Sequence, residues 1–189
     1  MTTRTATSQV RATPTGRDEV SAAVLGAAAE LFAERGPAAT SIRDIAARSK
    51  VNHGLIFRHF GAKDRLVGAV LDHLVVQLTE LLDAGAPAAD VDRAIDRHTR
   101  VMARALLDGY PAAQLQTSFP NIARLLDEVV PRYDDEAAAR LAIANALALQ
   151  IGWRLFGPFL RRALELETLT EAELKQAVDA EVARIVTPG

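Results

Sequence analysis

Residues 40–66 have the sequence TSIRDIAARSKVNHGLIFRHFGAKDRL, and the prediction of the fold starts from this segment. It holds two short amphipathic segments, and the helical pattern breaks between them around residues 48–51. Ser41 can cap the first segment, and Asp44 follows at the spacing of a capping box. Asn52 can cap the second segment. Two helices of about two turns, joined by a tight turn, form a helix-turn-helix unit.

A longer helix is predicted on each side of this unit. Apolar residues recur at helical spacing from Arg17 onwards, and the pattern stops at Gly36-Pro37, a typical helix end. A long helix is predicted over residues 62–83, enough to belong to both an N-terminal and a C-terminal part of the molecule. The predicted core of the N-terminal three-helix unit consists of Leu31, Phe32, Ile45, Val51, Ile56 and Phe60.

The rest of the chain also has helical patterns. Residues 88–107, 134–166 and 170–186 each carry an apolar stripe, and Pro158 predicts a kink in the second of them. Residues 110–133 contain three prolines, which predicts short helices and turns. No segment has the pattern of a strand. The sequence therefore predicts an all-α protein.

The predicted helix over residues 134–166 is apolar nearly all round. Its few polar residues between 137 and 156 do not share one face. Such a helix is buried on more than one side. It is therefore either the central helix of a monomer or, with the last helix, half of a four-helix interface in a homodimer.

Composition excludes several kinds of protein. The chain has no cysteine, so it has neither disulfides nor thiolate sites, as fits a reducing cytoplasm. We find no secretory signal, no apolar run long enough for a membrane span, and no catalytic, phosphate-loop, metal or cofactor motif. Residues 1–65 have a net charge of +4 and residues 66–189 one of -6. A basic front indicates an anionic partner. The missing motifs, signal and membrane span predict a cytoplasmic protein that is not an enzyme.

Residues 40–66, with the preceding AAAELFAERGPAAT, resemble the DNA-binding domain of TetR-family transcriptional regulators. The match spans about residues 20–70. The positions at the family's spacing are Thr40-Ser41, Ile45-Ala46, Val51, Gly54, Phe57, His59-Phe60 and Lys63. The resemblance implies a flexible basic arm over residues 1–16, a helix-turn-helix DNA-binding domain over 17–62, and a ligand-binding and dimerisation domain over 63–189.

The resemblance also implies how DNA is contacted. The second short helix would lie in the major groove, with Arg43 from the helix before it reaching a guanine. His53 would meet a base edge, Leu55 a thymine methyl group, and Gly54 would let the backbone approach closely. Arg58 would reach either a base or a phosphate. The phosphate candidates are Thr40, Ser41, Asn52, His59 and Lys63, and the arginines that follow the backbone or minor groove are Arg4, Arg11 and Arg17.

Three positions depart from the family's pattern. Phe57 stands where a tyrosine is usual, so it keeps the ring without the hydroxyl. Asn52 replaces a serine or threonine and caps equally well. Ala62 replaces a capping serine, which predicts a weaker start of the long helix, by about 1 kcal/mol.

The resemblance implies a small-molecule pocket in the C-terminal bundle. The predicted lining residues are His73, Gln77, His98, Met102, Phe119, Asn145 and Trp153. This mainly apolar, uncharged set predicts a lipophilic or aromatic effector. The predicted protein is a homodimeric repressor that the effector releases from a palindromic operator. The alternatives are a helical-bundle carrier or enzyme without DNA binding, and a protein–protein adaptor.

Overall fold

The computed structural model describes residues 16–188, which fold as helices joined by turns, with no strand in that range. The helices in chain order are α1 (Arg17–Arg35), α2 (Ile42–Ser49), α3 (His53–Phe60), α4 (Lys63–Asp83), α5 (Ala88–Leu107), α6 (Ala112–Leu115), α7 (Pro120–Val129), α8 (Glu136–Ala163) and α9 (Glu171–Ile185). A short 3₁₀ turn, Val130–Arg132, precedes α8. The all-α prediction is confirmed. The predicted arm and its arginines Arg4 and Arg11 lie outside the described residues.

The predicted caps fix the ends of the two short helices. The hydroxyl of Ser41 accepts a hydrogen bond of 3.1 Å from the backbone amide of Asp44, whose carboxylate accepts one of 2.9 Å from the amide of Ser41. The side chain of Asn52 accepts a bond of 2.8 Å from the amide of Gly54. Ala62 precedes α4 without any side-chain cap, as predicted. The chain turns between α2 and α3 at Lys50, which is left-handed with φ of 57°.

Helices α1 to α4 share one apolar core. Every predicted core residue lies in it: Leu31, Phe32, Ile45, Val51 and Ile56 are buried, and Phe60 packs against them while partly exposed. Leu66 and Val70 of α4 and Val101 of α5 belong to the same cluster. The helix-turn-helix unit is therefore continuous with the first helices of the C-terminal part.

The first half of the C-terminal part is built on α4. Helices α4 and α5 are joined by a short loop and pack against each other, and α5 also packs against α1. The carboxylate of Asp72 accepts hydrogen bonds from the amide and hydroxyl of Thr117 and from the amide of Ser118, at 2.7–3.0 Å. These bonds fix the segment between α6 and α7 against the middle of α4.

Within residues 16–188, helix α8 is covered on one side only. Its buried residues are Ala139, Ile143, Ala146 and Gly157, and it packs against α5, α7 and α9. The opposite side exposes Leu141, Phe156 and Phe159. Residues 16–188 therefore do not enclose α8 as a central helix. No helix within residues 16–188 has the length and apolar character needed to cross a membrane.

Candidate nucleic-acid interface

Helix α3 turns one side towards the core and leaves the other bare. Ile56 is fully buried at its centre. His53, Gly54 and Arg58 are exposed, and the ring of Phe57 is 68% exposed. The bare side of α3 therefore carries donors together with an apolar ring, as base edges require.

Unpaired cations surround this side. Arg43, Lys50, Arg58 and Arg65 are exposed, and none of them has a carboxylate within ion-pair distance among residues 16–188. In contrast, Arg48 on the flank of α2 pairs with Glu30 at 3.0 Å. A cation without a carboxylate is free to pair with a phosphate.

Lys50 and Arg65 were not singled out from the sequence. Lys50 lies in the left-handed turn between α2 and α3, and Arg65 in the first turn of α4. The signal available was their position in the turn and just after the cap. Nothing in the sequence showed that Lys50 and Arg65 lack carboxylate partners.

Lys63 begins α4 beside this surface. It is partly buried. Burial lowers the pKa of Lys63, and the nearby carboxylates of Asp108 and Asp64 act in the opposite direction. The free amides at the start of α4 add positive potential next to its ammonium group.

Three predicted contact residues have other partners in the structure. Thr40 is completely buried, and its hydroxyl donates a hydrogen bond of 2.8 Å to the carbonyl oxygen of Gly36. A phosphate contact from the Thr40 side chain is incompatible with that geometry. Leu55 packs partly against the core, which leaves less of it for a thymine methyl group. His59 is half-buried beside the ring of Phe60.

A cleft of about 990 Å³ lies in the C-terminal part, between α5, α8 and α9. Its apolar wall consists of Val91, Ile95, Trp153, Leu174 and Val178. The polar wall is built around Arg154 of α8, which donates hydrogen bonds to Asp96 at 2.5 Å and to Asp92 at 3.0 Å on α5. These two bonds offset the effect of burial and raise the pKa of the Arg154 guanidinium. The cleft thus joins an apolar pocket to a fixed ion pair.

The structure does not bring the predicted pocket residues together. Trp153 lines the large cleft, and Gln77 lines a smaller groove of about 430 Å³ between α4 and α5. The residues that line neither are His73, His98, Met102, Phe119 and Asn145. The predicted set combined residues of α4, α5 and α8 with Phe119, which precedes α7, and the fold separates them.

Two of those residues have environments of their own. Asn145 is exposed on α8, on the same side as Leu141 and Phe159. His98 is partly buried, and its buried Nε2 has no hydrogen-bond partner among the described residues. Burial lowers the pKa of His98, and a hydrogen bond with Gln116 acts in the opposite direction.

An exposed, cation-lined helix-turn-helix unit on a helical domain with its own cleft defines a DNA-binding regulator of transcription. The family model for bacterial regulatory proteins of the tetR family matches residues 24–70. The HTH-type transcriptional repressor Rv3405c of Mycobacterium tuberculosis (strain ATCC 25618 / H37Rv) is 67% identical over 188 residues, covering 100% of both chains. The HTH-type transcriptional regulator Mb3439c of Mycobacterium bovis is equally similar over the same length. The chain belongs to the TetR family of bacterial transcriptional regulators.

A more distant relative matches less than half of the chain. The HTH-type transcriptional regulator TtgR of Pseudomonas putida is 37% identical over 83 residues, 44% of this chain and 40% of its own. These relatives are regulators of transcription, which confirms the prediction of a DNA-binding regulator over a carrier or an enzyme.

Proposed function

We propose that this regulator is a homodimeric repressor that binds a palindromic operator and leaves it when a small molecule fills the α5–α8–α9 cleft. The observation that carries the proposal is the bare side of α3, with its exposed ring and unpaired cations. On this proposal residues 17–62 form the DNA-binding domain and residues 63–189 the ligand-binding and dimerisation domain.

In the proposed complex α3 lies in the major groove. Arg43 and His53 read base edges, because both are exposed donors at the start of their helices. The contacts that fix the register on phosphates are Ser41, Asn52, Arg58, His59 and Lys63, with Lys50 and Arg65 added from the structure. Gly54 gives close approach of the backbone, and Phe57 and the free edge of Leu55 supply apolar contact. Thr40 supports the turn before Ser41 and does not touch the DNA.

The homodimer is supported by one face of α8. Leu141, Phe156 and Phe159 share that face and are 62%, 59% and 69% exposed. Asn145 and Ala148 lie between them at helical spacing. A second copy of the chain would cover this apolar stripe, and two α8–α9 pairs would form a four-helix interface.

The chemistry of the cleft supports an effector with an apolar body. Trp153, Val91 and Val178 offer a wall for an aromatic or lipophilic group. Arg154 and its two aspartates offer hydrogen bonds at one end of that wall. The effector acts by favouring a conformer whose recognition helices no longer match successive major grooves, and it shifts operator binding only by its difference in affinity for the two conformers. Helix α4, which belongs to both halves, and α5, which lines the cleft and packs on α1, carry the change.

Selection of binding sites from randomised duplexes tests the DNA-binding part. The selected sequences should form an inverted repeat whose half-site centres are about 34–36 Å apart, with two protomers bound. Arg58→Ala should weaken enrichment, whereas Arg132→Ala, which removes an exposed arginine paired with Glu128, should not. Selection of no sequence, or of isolated half-sites bound by single chains, contradicts the proposal.

Fluorescence tests the effector part, because Trp153 is the only tryptophan of the chain and lines the cleft. A compound that releases the selected operator should also change the emission of Trp153 over the same concentration range. Leu174→Glu, which places a charge in the apolar wall, should shift both curves to higher concentration. Release of the operator with no change in emission, and with the variant unaffected, would place the effector elsewhere.

A further inference from the structure

A single carboxylate links the C-terminal end of α5 to the helix-turn-helix unit. Asp108 directly follows α5, and its Oδ2 accepts a hydrogen bond of 2.7 Å from the backbone amide of Ala38. Ala38 lies in the turn between α1 and α2, 70 residues earlier in the chain. The bond therefore joins two parts that are distant in sequence.

Gly36 makes room for this carboxylate. Its φ of +84° is a conformation that other residues rarely adopt. A Cβ atom on residue 36 would also lie only 2.7 Å from Oδ2 of Asp108. The same turn supports the start of α2, because the carbonyl oxygen of Gly36 accepts the hydroxyl of Thr40. Asp108 is thus seated against the turn that sets the direction of α2.

The surroundings of Asp108 also include the start of α4. Lys63 begins that helix, and the carboxylates of Asp108 and Asp64 are close enough to oppose the effect of burial on its pKa. Tyr110 lies near the same two carboxylates, and Arg104 lies one turn before Asp108 with its Cβ beside Gly36. Asp108 therefore lies between the segments that lead into two of the proposed phosphate contacts, Ser41 and Lys63.

The other end of α5 is held in the cleft. Asp92 and Asp96 bind Arg154 there, whereas Asp108 binds the helix-turn-helix unit. Helix α5 has 20 residues and is therefore about 30 Å long. Helix α5 therefore contacts the cleft near one end and the helix-turn-helix unit at the other.

We propose that Asp108 is a positioning residue for DNA binding, which holds the helix-turn-helix unit in one orientation on α5 and so sets the spacing of the two recognition helices in the dimer. This inference rests on the proposed function, because it requires a dimer on a two-half-site operator. Asp108 does not touch the DNA. It acts through the turn around Ala38.

The test compares a duplex carrying both half-sites with a duplex carrying one. Binding to one half-site needs only an intact α3 surface, whereas binding to both also needs the correct spacing. Asp108→Ala should lower affinity for the two-half-site duplex about five- to tenfold and change affinity for the single half-site less than twofold. Asp108→Asn retains an oxygen that can accept the Ala38 amide, so it should restore binding to within twofold of the wild type.

Asp83→Ala is the matched control, because it removes a carboxylate at the end of α4 that pairs with Arg124 far from the helix-turn-helix unit. It should bind both duplexes as the wild type does. Asp108→Ser, which keeps a polar residue too short to reach Ala38, should behave like the alanine variant, and it serves in its place if that variant does not fold.

The outcomes distinguish a failure of the proposed function from a failure of the proposed role of Asp108. If the wild-type protein binds neither duplex, the proposed function fails. Suppose that the wild type prefers the two-half-site duplex. The role of Asp108 is overturned if the alanine and serine variants bind both duplexes with wild-type affinity. It is also overturned if they lose affinity for both duplexes by the same factor. Loss in the asparagine variant as large as in the alanine variant also contradicts a role through the hydrogen bond to Ala38.

Discussion

The backbone carbonyl oxygen of Leu115 lies against the Cα of Gly68, so that α6 touches α4 with no side chain between them. A Cβ atom on residue 68 would overlap that oxygen, and the neighbouring backbone could not move away without lifting α6. The hydrogen bonds of Asp72 to Thr117 and Ser118 begin one turn further along α4. Close approach and hydrogen bonding together fix the start of the α6–α7 segment on α4.

Gly68→Ala should therefore destabilise the protein by about 1–3 kcal/mol, the usual cost of overpacking. Gly26→Ala is the matched control within a helix, because a Cβ atom there has no neighbour within 4 Å. It should stabilise the protein by about 0.5–1 kcal/mol, since alanine loses less backbone entropy than glycine. Urea unfolding of the two variants checks both signs, and equal effects would contradict the close contact with Leu115.

Ala62→Ser should stabilise the start of α4. Ala62 has the extended conformation of an N-cap but offers no side-chain acceptor to the first amides. A serine there should add about 1 kcal/mol, which raises the melting temperature by about 2–4 °C in a chain of this length. Ser41→Ala, which removes a cap that is present, should lower it by a similar amount. Thermal unfolding followed by circular dichroism measures both melting temperatures. If Ala62→Ser melts at the same temperature as the wild type, α4 does not lack a stabilising cap.

Arg43 and Lys63 should affect DNA binding differently. Arg43→Ala should reduce discrimination between the operator and random DNA, by about 1–3 kcal/mol, because a base contact is lost. Lys63→Ala should weaken binding to both duplexes about equally and reduce the salt slope by about 1 for each protomer, because a phosphate contact is lost. Titrations of each variant with both duplexes separate these effects. Equal losses of discrimination would contradict this division of roles.

The exposed face of α8 should be needed for dimerisation. Replacing Phe156 and Phe159 by serine removes the two largest apolar side chains of that face without touching the buried side of the helix. The double variant should be monomeric at concentrations where the wild type is a dimer, and it should keep its helix content. Light scattering after size-exclusion chromatography measures the mass. Phe57→Ser is the control, since it removes an exposed ring from α3 and should leave the dimer intact.

Stability should fall in mild acid partly because of His98. Burial lowers the pKa of His98 below its usual 6.5, so the unfolded chain takes up a proton at a higher pH than the folded chain does. The stability that comes from keeping His98 neutral is therefore complete above about pH 6.5 and is lost as the pH falls through its folded pKa. His98→Gln should shrink the difference in unfolding free energy between pH 7.5 and pH 5.5. Some difference should persist, because burial also lowers the pKa of His73.

The helices of the N-terminal part could be predicted from the sequence because their ends depend on local interactions. The capping pair of Ser41 and Asp44, the cap at Asn52 and the glycine at the end of α1 act within four residues, and each lies where the spacing predicted it. The core around Phe32 follows from helical periodicity for the same reason.

Contacts between distant segments could not be read in this way. The bond of Asp108 to Ala38 spans 70 residues, and those of Arg154 to Asp92 and Asp96 span about 60. Nothing in the pattern of α5 distinguishes Asp108 from a solvated carboxylate at a helix end. The burial of Thr40 was missed for a related reason, since a threonine before a helix is usually exposed and here turns back to Gly36.

Fluorescence anisotropy measures whether the surface around α3 binds DNA. Labelled duplexes from the region upstream of the protein's own gene, and scrambled duplexes of the same composition, are titrated across a salt series. We expect tight binding to the upstream duplex with two protomers per site, a steep salt slope, and weaker binding to the scrambled one. Absence of binding to either duplex at low salt would contradict this expectation.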